Sequence, residues 1–170
     1  MGGVEQLAWS PDGKKIAWES MAHDGYESDK SRLMVYDFAT KTAKDYTQKL
    51  DQSVHNICWS KDNSKLYFIS PFHGVEDIFV ADVKTNAIRR VTEGVHDYVS
   101  IDLAGKNLIG SRQSMSAPTE IFSINPADGK ETQISFENKD LMAQLKVANV
   151  EGRWIKTTDN KDMLTWVIYP

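Results

Sequence analysis

Two stretches of the chain are nearly the same text, fifty positions apart. Leu7-Ala8-Trp9-Ser10-Pro11-Asp12-Gly13-Lys14-Lys15-Ile16-Ala17-Trp18 and Ile57-Cys58-Trp59-Ser60-Lys61-Asp62-Asn63-Ser64-Lys65-Leu66-Tyr67-Phe68 both read apolar-x-Trp-Ser-x-Asp-(Gly/Asn)-x-Lys-apolar. A weaker third copy runs from Ser100 to Leu108, with Ile101 read at the place of the tryptophan. A second signature trails each copy: Leu33-Met34-Val35-Tyr36-Asp37, Ile78-Phe79-Val80-Ala81-Asp82 and Ile121-Phe122-Ser123-Ile124-Asn125. Each ends in a short polar segment closing on Thr47, Thr92 or Ser135. Two signatures recurring every ~42–50 residues mean a supersecondary unit that is repeated and stacked.

The unit is read from its runs. Apolar or alternating stretches of a few residues are bounded by turn residues, which predicts four short antiparallel strands per copy. Pro11-Asp12-Gly13 has a turn mechanism, since proline presets φ and glycine supplies positive φ. Four strands in such a length make one blade of a β-propeller, and a single blade cannot bury both its faces. The fold class is therefore all-β, a partial β-propeller of about three four-stranded antiparallel blades, near 4–47, 54–92 and 97–135. Trp9, Trp18, Trp59, Tyr67 and Phe68 are expected to pack between blades. Residues 1–136 hold the blades. Residues 137–170 are expected to hold a short helix near 136–145, capped by Asn138, and then a hairpin of 154–157 with 163–169. Propellers typically close with 4–8 blades, so three leave open faces. Either more blades belong to the protein or those faces self-associate.

Composition narrows the rest. Twenty Lys and Arg against 24 Asp and Glu give a net charge of −4, which argues against nucleic acid or an anionic membrane as a partner. The single cysteine, Cys58, excludes an internal disulfide, and the four histidines are dispersed, so no metal or cofactor is expected. There is no G-x-S-x-G, G-x-G-x-x-G, P-loop, H-E-x-x-H or C-x-x-C, and hence no catalytic residue to assign.

The blade opening Trp-Ser-Pro-Asp-Gly-Lys-Lys-Ile-Ala-Trp resembles the propeller repeat of the prolyl oligopeptidase family of serine peptidases, and also that of the Tol-system periplasmic propeller protein. Three further segments separate the two. Residues 20–30 resemble the long loop after the second strand of a blade in dipeptidyl-peptidase and acylaminoacyl-peptidase relatives. Ser114-Met115-Ser116-Ala117-Pro118-Thr119-Glu120-Ile121 resembles a strand opening in their late blades. Residues 154–170 resemble the hairpin that leads from the propeller into the α/β-hydrolase domain. The resemblance implies a non-catalytic propeller fragment of a peptidase that cleaves short peptides, releasing N-terminal dipeptides. Its Ser-Asp-His triad would lie in an α/β-hydrolase domain after Pro170. It also implies a periplasmic or secreted parent protein. The alternative is a non-enzymatic propeller for protein–protein interaction, of Tol-system or WD40-like type; residues 147–170 discriminate, since a pure propeller does not need that hairpin.

In this family the propeller mouth faces the active site, so the resemblance points to loop residues as substrate contacts. A carboxylate in a semi-enclosed cavity would pair with a substrate ammonium, and Glu27 and Asp29 could serve. Phe72 and His73 occupy the equivalent loop of the second copy. The plainer alternative is a solvated loop whose acids pair with Lys30 or Arg32. Arg112 and residues 114–116 are expected to pack at a domain interface. His55 and His96 read as turn residues, Cys58 as a small buried one, and Arg89-Arg90 as a solvated pair. Asp37, Asp82 and Asn125 read as acceptors in turns.

Overall fold

A computed structural model describes residues 3–169 apart from Asp24, Tyr26 and Glu27. Three four-stranded antiparallel sheets follow one another, each with its strands in chain order. The first blade is β1 (Val4–Trp9), β2 (Lys15–Ser20), β3 (Arg32–Asp37) and β4 (Thr42–Asp45). The second is β5 (His55–Trp59), β6 (Lys65–Phe72), β7 (Val75–Asp82) and β8 (Ile88–Arg90). The third is β9 (Asp97–Ala104), β10 (Asn107–Ser114), β11 (Ala117–Ile124) and β12 (Glu131–Gln133). After them come a four-residue helix, α1 (Lys139–Met142), and a hairpin of β13 (Val150–Lys156) and β14 (Asp162–Ile168). The first strands of successive blades, β1, β5 and β9, lie against one another, as the inner strands of a propeller do.

The repeated text has a local cause. The Ser10 hydroxyl donates to Asp12 at 2.7 Å and accepts from the Lys15 amide at 2.9 Å, while Asp12 also accepts from the Lys14 amide at 3.1 Å. Ser60 and Asp62 repeat the pattern at 2.6 Å, with the amides of Lys65 and Ser64 as donors. The pair closes the turn around one residue at positive φ, Gly13 at 68° or Asn63 at 62°. In the second signature, Asp37, Asp82 and Asn125 each accept the amide two residues on, which makes them the expected turn acceptors. The hydroxyls of Thr47, Thr92 and Ser135 accept the amides that open the buried part of the third strands, those of Leu33, Ile78 and Ile121. Each hydroxyl in turn donates to a carboxylate, that of Asp45, Asp77 or Glu120.

The core lies in the two seams between blades. One buries Ala17, Leu33, Val35, Ile57, Trp59, Leu66, Phe68 and Phe79; the other buries Tyr67, Ile69, Ile78, Tyr98, Ile101, Leu108 and Ile124. Trp59 is 5% exposed, and its indole donates to the Ala8 carbonyl of the preceding blade at 2.9 Å. Cys58 packs beside the second seam, where burial pushes its thiol up to about 12, so it is an inert small residue. A side-chain amide also crosses each seam. Gln6 accepts the Ile57 amide at 2.8 Å, and Asn56 accepts the Ile101 amide. Both stand at positive φ, 37° and 54°, where the strand register slips.

Several expectations are corrected. Trp9 is not between blades: it is 58% exposed and stacks on Phe38 at 5.3 Å, because its counterpart Trp59 is covered by the sheet before it and blade 1 is the first sheet described. Trp18 is half-buried only. Ile101 does not take the tryptophan's place. Trp59 pairs with Leu66 as Leu103 pairs with Leu108, and Ile101 matches Ile57 in taking an amide acceptor from the blade before. The tight Ala104–Asn107 turn of the third copy removes the residues that would have kept the alignment. The helix is shorter than expected, and Asn138 does not cap it; its side chain donates to Glu120 at 3.0 Å instead.

Candidate functional site

Because the strands alternate in direction, the loops joining second to third strands share one rim with the links between blades. Among the described residues, that rim carries 21–23, 25, 28–31, 73–74 and 115–116. At its middle, β6 and β7 are joined by His73-Gly74, both at positive φ, 51° and 75°, the geometry of a two-residue hairpin turn. The terminal hairpin lies on this turn. A Cβ at Gly74 would stand 3.0 Å from Leu164 and 3.3 Å from the Trp166 indole nitrogen, and a Cβ at Gly152 would meet Trp166 at 3.0 Å. The glycines are thus what lets the two hairpins touch.

An aromatic cluster grows from that contact. The His73 ring meets Trp154 edge-on at 5.3 Å and lies 4.0 Å from Phe72. The Arg90 guanidinium lies 4.4 Å above the Phe72 ring and binds Asp77, with Nε at 2.9 Å and a terminal nitrogen at 2.5 Å. Asp77 is fully buried; burial pushes its carboxyl up, while Arg90 and the Thr92 hydroxyl oppose that rise. Arg90 is therefore not half of a solvated arginine pair, and Arg89 reaches the Pro126 carbonyl of the next blade. Phe72, His73, Arg90, Trp154, Leu164 and Trp166 line a cavity of about 230 Å³.

A larger cavity of about 590 Å³ opens beside blade 3, with Arg112, Glu120, Phe122, Phe136, Asn138 and Met142 in its wall. Arg112 stacks 3.5 Å above Phe122 and pairs with Glu131, which His96 also approaches, at 3.4 Å. Burial would raise the Glu131 carboxyl, but its contacts with His96 and Arg112 hold it below its ordinary range. His96 is thus packed against Glu131 and is not an ordinary turn residue, and His55 stands 3.6 Å from Glu76.

Of the four residues singled out as substrate contacts, the structure brings two together, Phe72 and His73. Glu27 lies outside the described residues. Asp29 accepts from the His23 amide at 2.7 Å and stands 2.8 Å from the His23 ring nitrogen Nδ1. Burial would raise its carboxyl, and these contacts hold it low instead. Neither Lys30 nor Arg32 is its partner: Lys30 donates to the carbonyls of Thr47 and Leu50, and Arg32 to those of Ser20 and Met21. Sequence reasoning missed Arg90 and the hairpin tryptophans. A signal for the former was present, since an acid precedes a hydroxyl by fifteen residues in both Asp77/Thr92 and Glu120/Ser135. Among the described residues, no group of three or more His, Cys, Asp or Glu side chains could hold a metal ion.

No family model matches the chain. Solved structures share its fold. Acylaminoacyl peptidase from Pyrococcus horikoshii superposes with a TM-score of 0.78 over 98% of this chain and 25% of its own, at 21% identity. The β-propeller domain of the trilobed protease from Pyrococcus furiosus gives 0.64 over 84% of this chain and 40% of its own, also at 21% identity. A putative TolB from Agrobacterium tumefaciens gives 0.65 over 79% and 47%, at 20% identity, so the fold alone does not separate peptidase from Tol-type propellers. The architecture is that of part of a β-propeller domain. Its homologues in sequence are more particular. The chain is similar along its whole length to dipeptidyl-peptidase 5, at 38% identity to the protein from Porphyromonas gingivalis and 40% to that from Porphyromonas endodontalis. It spans a quarter of the length of each.

Proposed function

We propose that this chain is the non-catalytic propeller part of a serine peptidase that cleaves short peptides and releases N-terminal dipeptides. The observation that carries the reading is the whole-length similarity to dipeptidyl-peptidase 5, which includes the hairpin a free-standing propeller does not need. The hydrolytic groups would belong to an α/β-hydrolase domain reached through β14. The propeller would limit substrate size and anchor the peptide at the rim, with Phe72 and His73 as aromatic contacts and Glu27 and Asp29 as acidic ones. The parent protein would act in the periplasm or outside the cell, which fractionation of the native host would test.

The functional test sets the 170-residue chain beside a version extended past Pro170. Both are assayed with a dipeptide-release substrate and labelled with a serine-directed probe. Turnover and labelling by the longer protein alone are the expected result. If neither reacts, the peptidase reading falls and a protein-binding propeller takes its place.

A further inference from the structure

Glu19 is an acid inside a seam. It stands on β2 between buried Ala17 and the half-exposed Ser20, pairs in register with buried Leu33, and is itself only 5% exposed. Its carboxylate accepts the Asn56 amide of the neighbouring blade at 2.9 Å. Asn56 in turn accepts the Ile101 amide of the third blade. Glu19 therefore begins a run of hydrogen bonds that passes through all three sheets.

Among the described residues no cation pairs with it. From β1, Glu5 stands opposite in register and carries the same sign. From β3, Arg32 is committed to the carbonyls of Ser20 and Met21. From β5, His55 is turned toward Glu76. A buried carboxylate with one amide donor and no cation is costly in its charged form. Burial pushes Glu19 up to about 7; the Asn56 amide opposes that rise, and Glu5 adds to it.

We propose that protonation of Glu19 is a switch that closes the seam between the first and second blades, firm in mildly acidic solution and looser above neutrality. The sign follows from linkage. The folded form holds the proton more tightly than the unfolded chain, whose ordinary value is 4.5. The stabilisation is therefore complete below that value and is lost as pH rises through about 7. One proton is involved, so the opening equilibrium changes by up to about tenfold per pH unit within the window.

The test is hydrogen exchange of the Asn56 and Ile57 amides in the full chain from pH 5 to 8, read as protection factors so that the pH dependence of intrinsic exchange cancels. Wild type should lose protection as pH rises, while Glu19→Gln, neutral throughout, should stay level over the same range. An equal decline in both proteins overturns the proposal; so does a level wild type. Should Glu19→Gln not fold, the carboxyl ¹³C shift of Glu19 in wild type decides. A midpoint near neutrality upholds the switch, and one in the ordinary range for glutamate overturns it.

Discussion

Trp9 and Trp59 are the same residue in two copies of one motif, and the structure gives them opposite energetic weight. Trp59 is 5% exposed in the first seam and donates to the Ala8 carbonyl, whereas Trp9 is 58% exposed with Phe38 as its ring partner. A tryptophan buries on the order of 200 Å², which at about 25 cal/mol per Å² is about 5 kcal/mol of transfer free energy. Large core aromatics cut to alanine lose about 3–5 kcal/mol, and Trp59→Ala should fall in that range. It also leaves the Ala8 carbonyl without its donor. Trp9→Ala gives up less than half as much buried area and one ring contact, so about 2 kcal/mol is expected. Urea unfolding followed by far-ultraviolet circular dichroism measures both without relying on the tryptophans as probes. The midpoint should move further for Trp59→Ala than for Trp9→Ala. Equal losses would refute the reasoning, since they would mean that the motif acts through its local turn and not through the seam.

Other outcomes follow from the rim and the turns. Gly74→Ala combines positive φ with contacts to Leu164 and Trp166; it should cost more than about 1 kcal/mol and make residues 150–168 open to limited proteolysis. Asp77→Ala strips the partner from Arg90 and the acceptor from Thr92 in a buried site, so a loss of about 3 kcal/mol or more is expected in thermal unfolding. The Asp62 carboxyl is held down to about 2 by the hydroxyl of Ser60 first, then by the hydroxyl and amide of Ser64. Its folded value lies below the unfolded one, so its contribution is present above about pH 4 and lost as pH falls through 2. An acid titration of stability should therefore be shallower in Asp62→Asn than in wild type.

The repeat made the blades legible because the chemistry it encodes is local. Ser10-Pro11-Asp12-Gly13 and Ser60-Lys61-Asp62-Asn63 close their turns with their own side chains, and Asp37 and Asp82 do the same, so each can be read without knowing its neighbours. What lay between blades was harder to see. Arg90 looks like a surface cation until Asp77, thirteen residues earlier, is found buried beside it. Ile101 aligns with the tryptophans by apolar character, whereas its place is set by the hydrogen bond its amide donates to Asn56, 45 residues away. Of the candidate site, Phe72 and His73 could be placed on a turn, but their partners on β13 and β14 come from the other end of the chain.

The amide that crosses each seam has a direction. Gln6 reaches forward to Ile57 and Asn56 forward to Ile101, while Ser100, next in line, keeps its hydroxyl on Ser111 of its own blade at 2.6 Å. Each seam is thus heterologous, made of unlike faces. Two first blades meeting by a twofold axis could not reproduce it, because both would offer the same side. Only head-to-tail addition reuses the contact. The stack has a polarity, so the geometry that lets blades multiply also limits the arrangements in which they can meet.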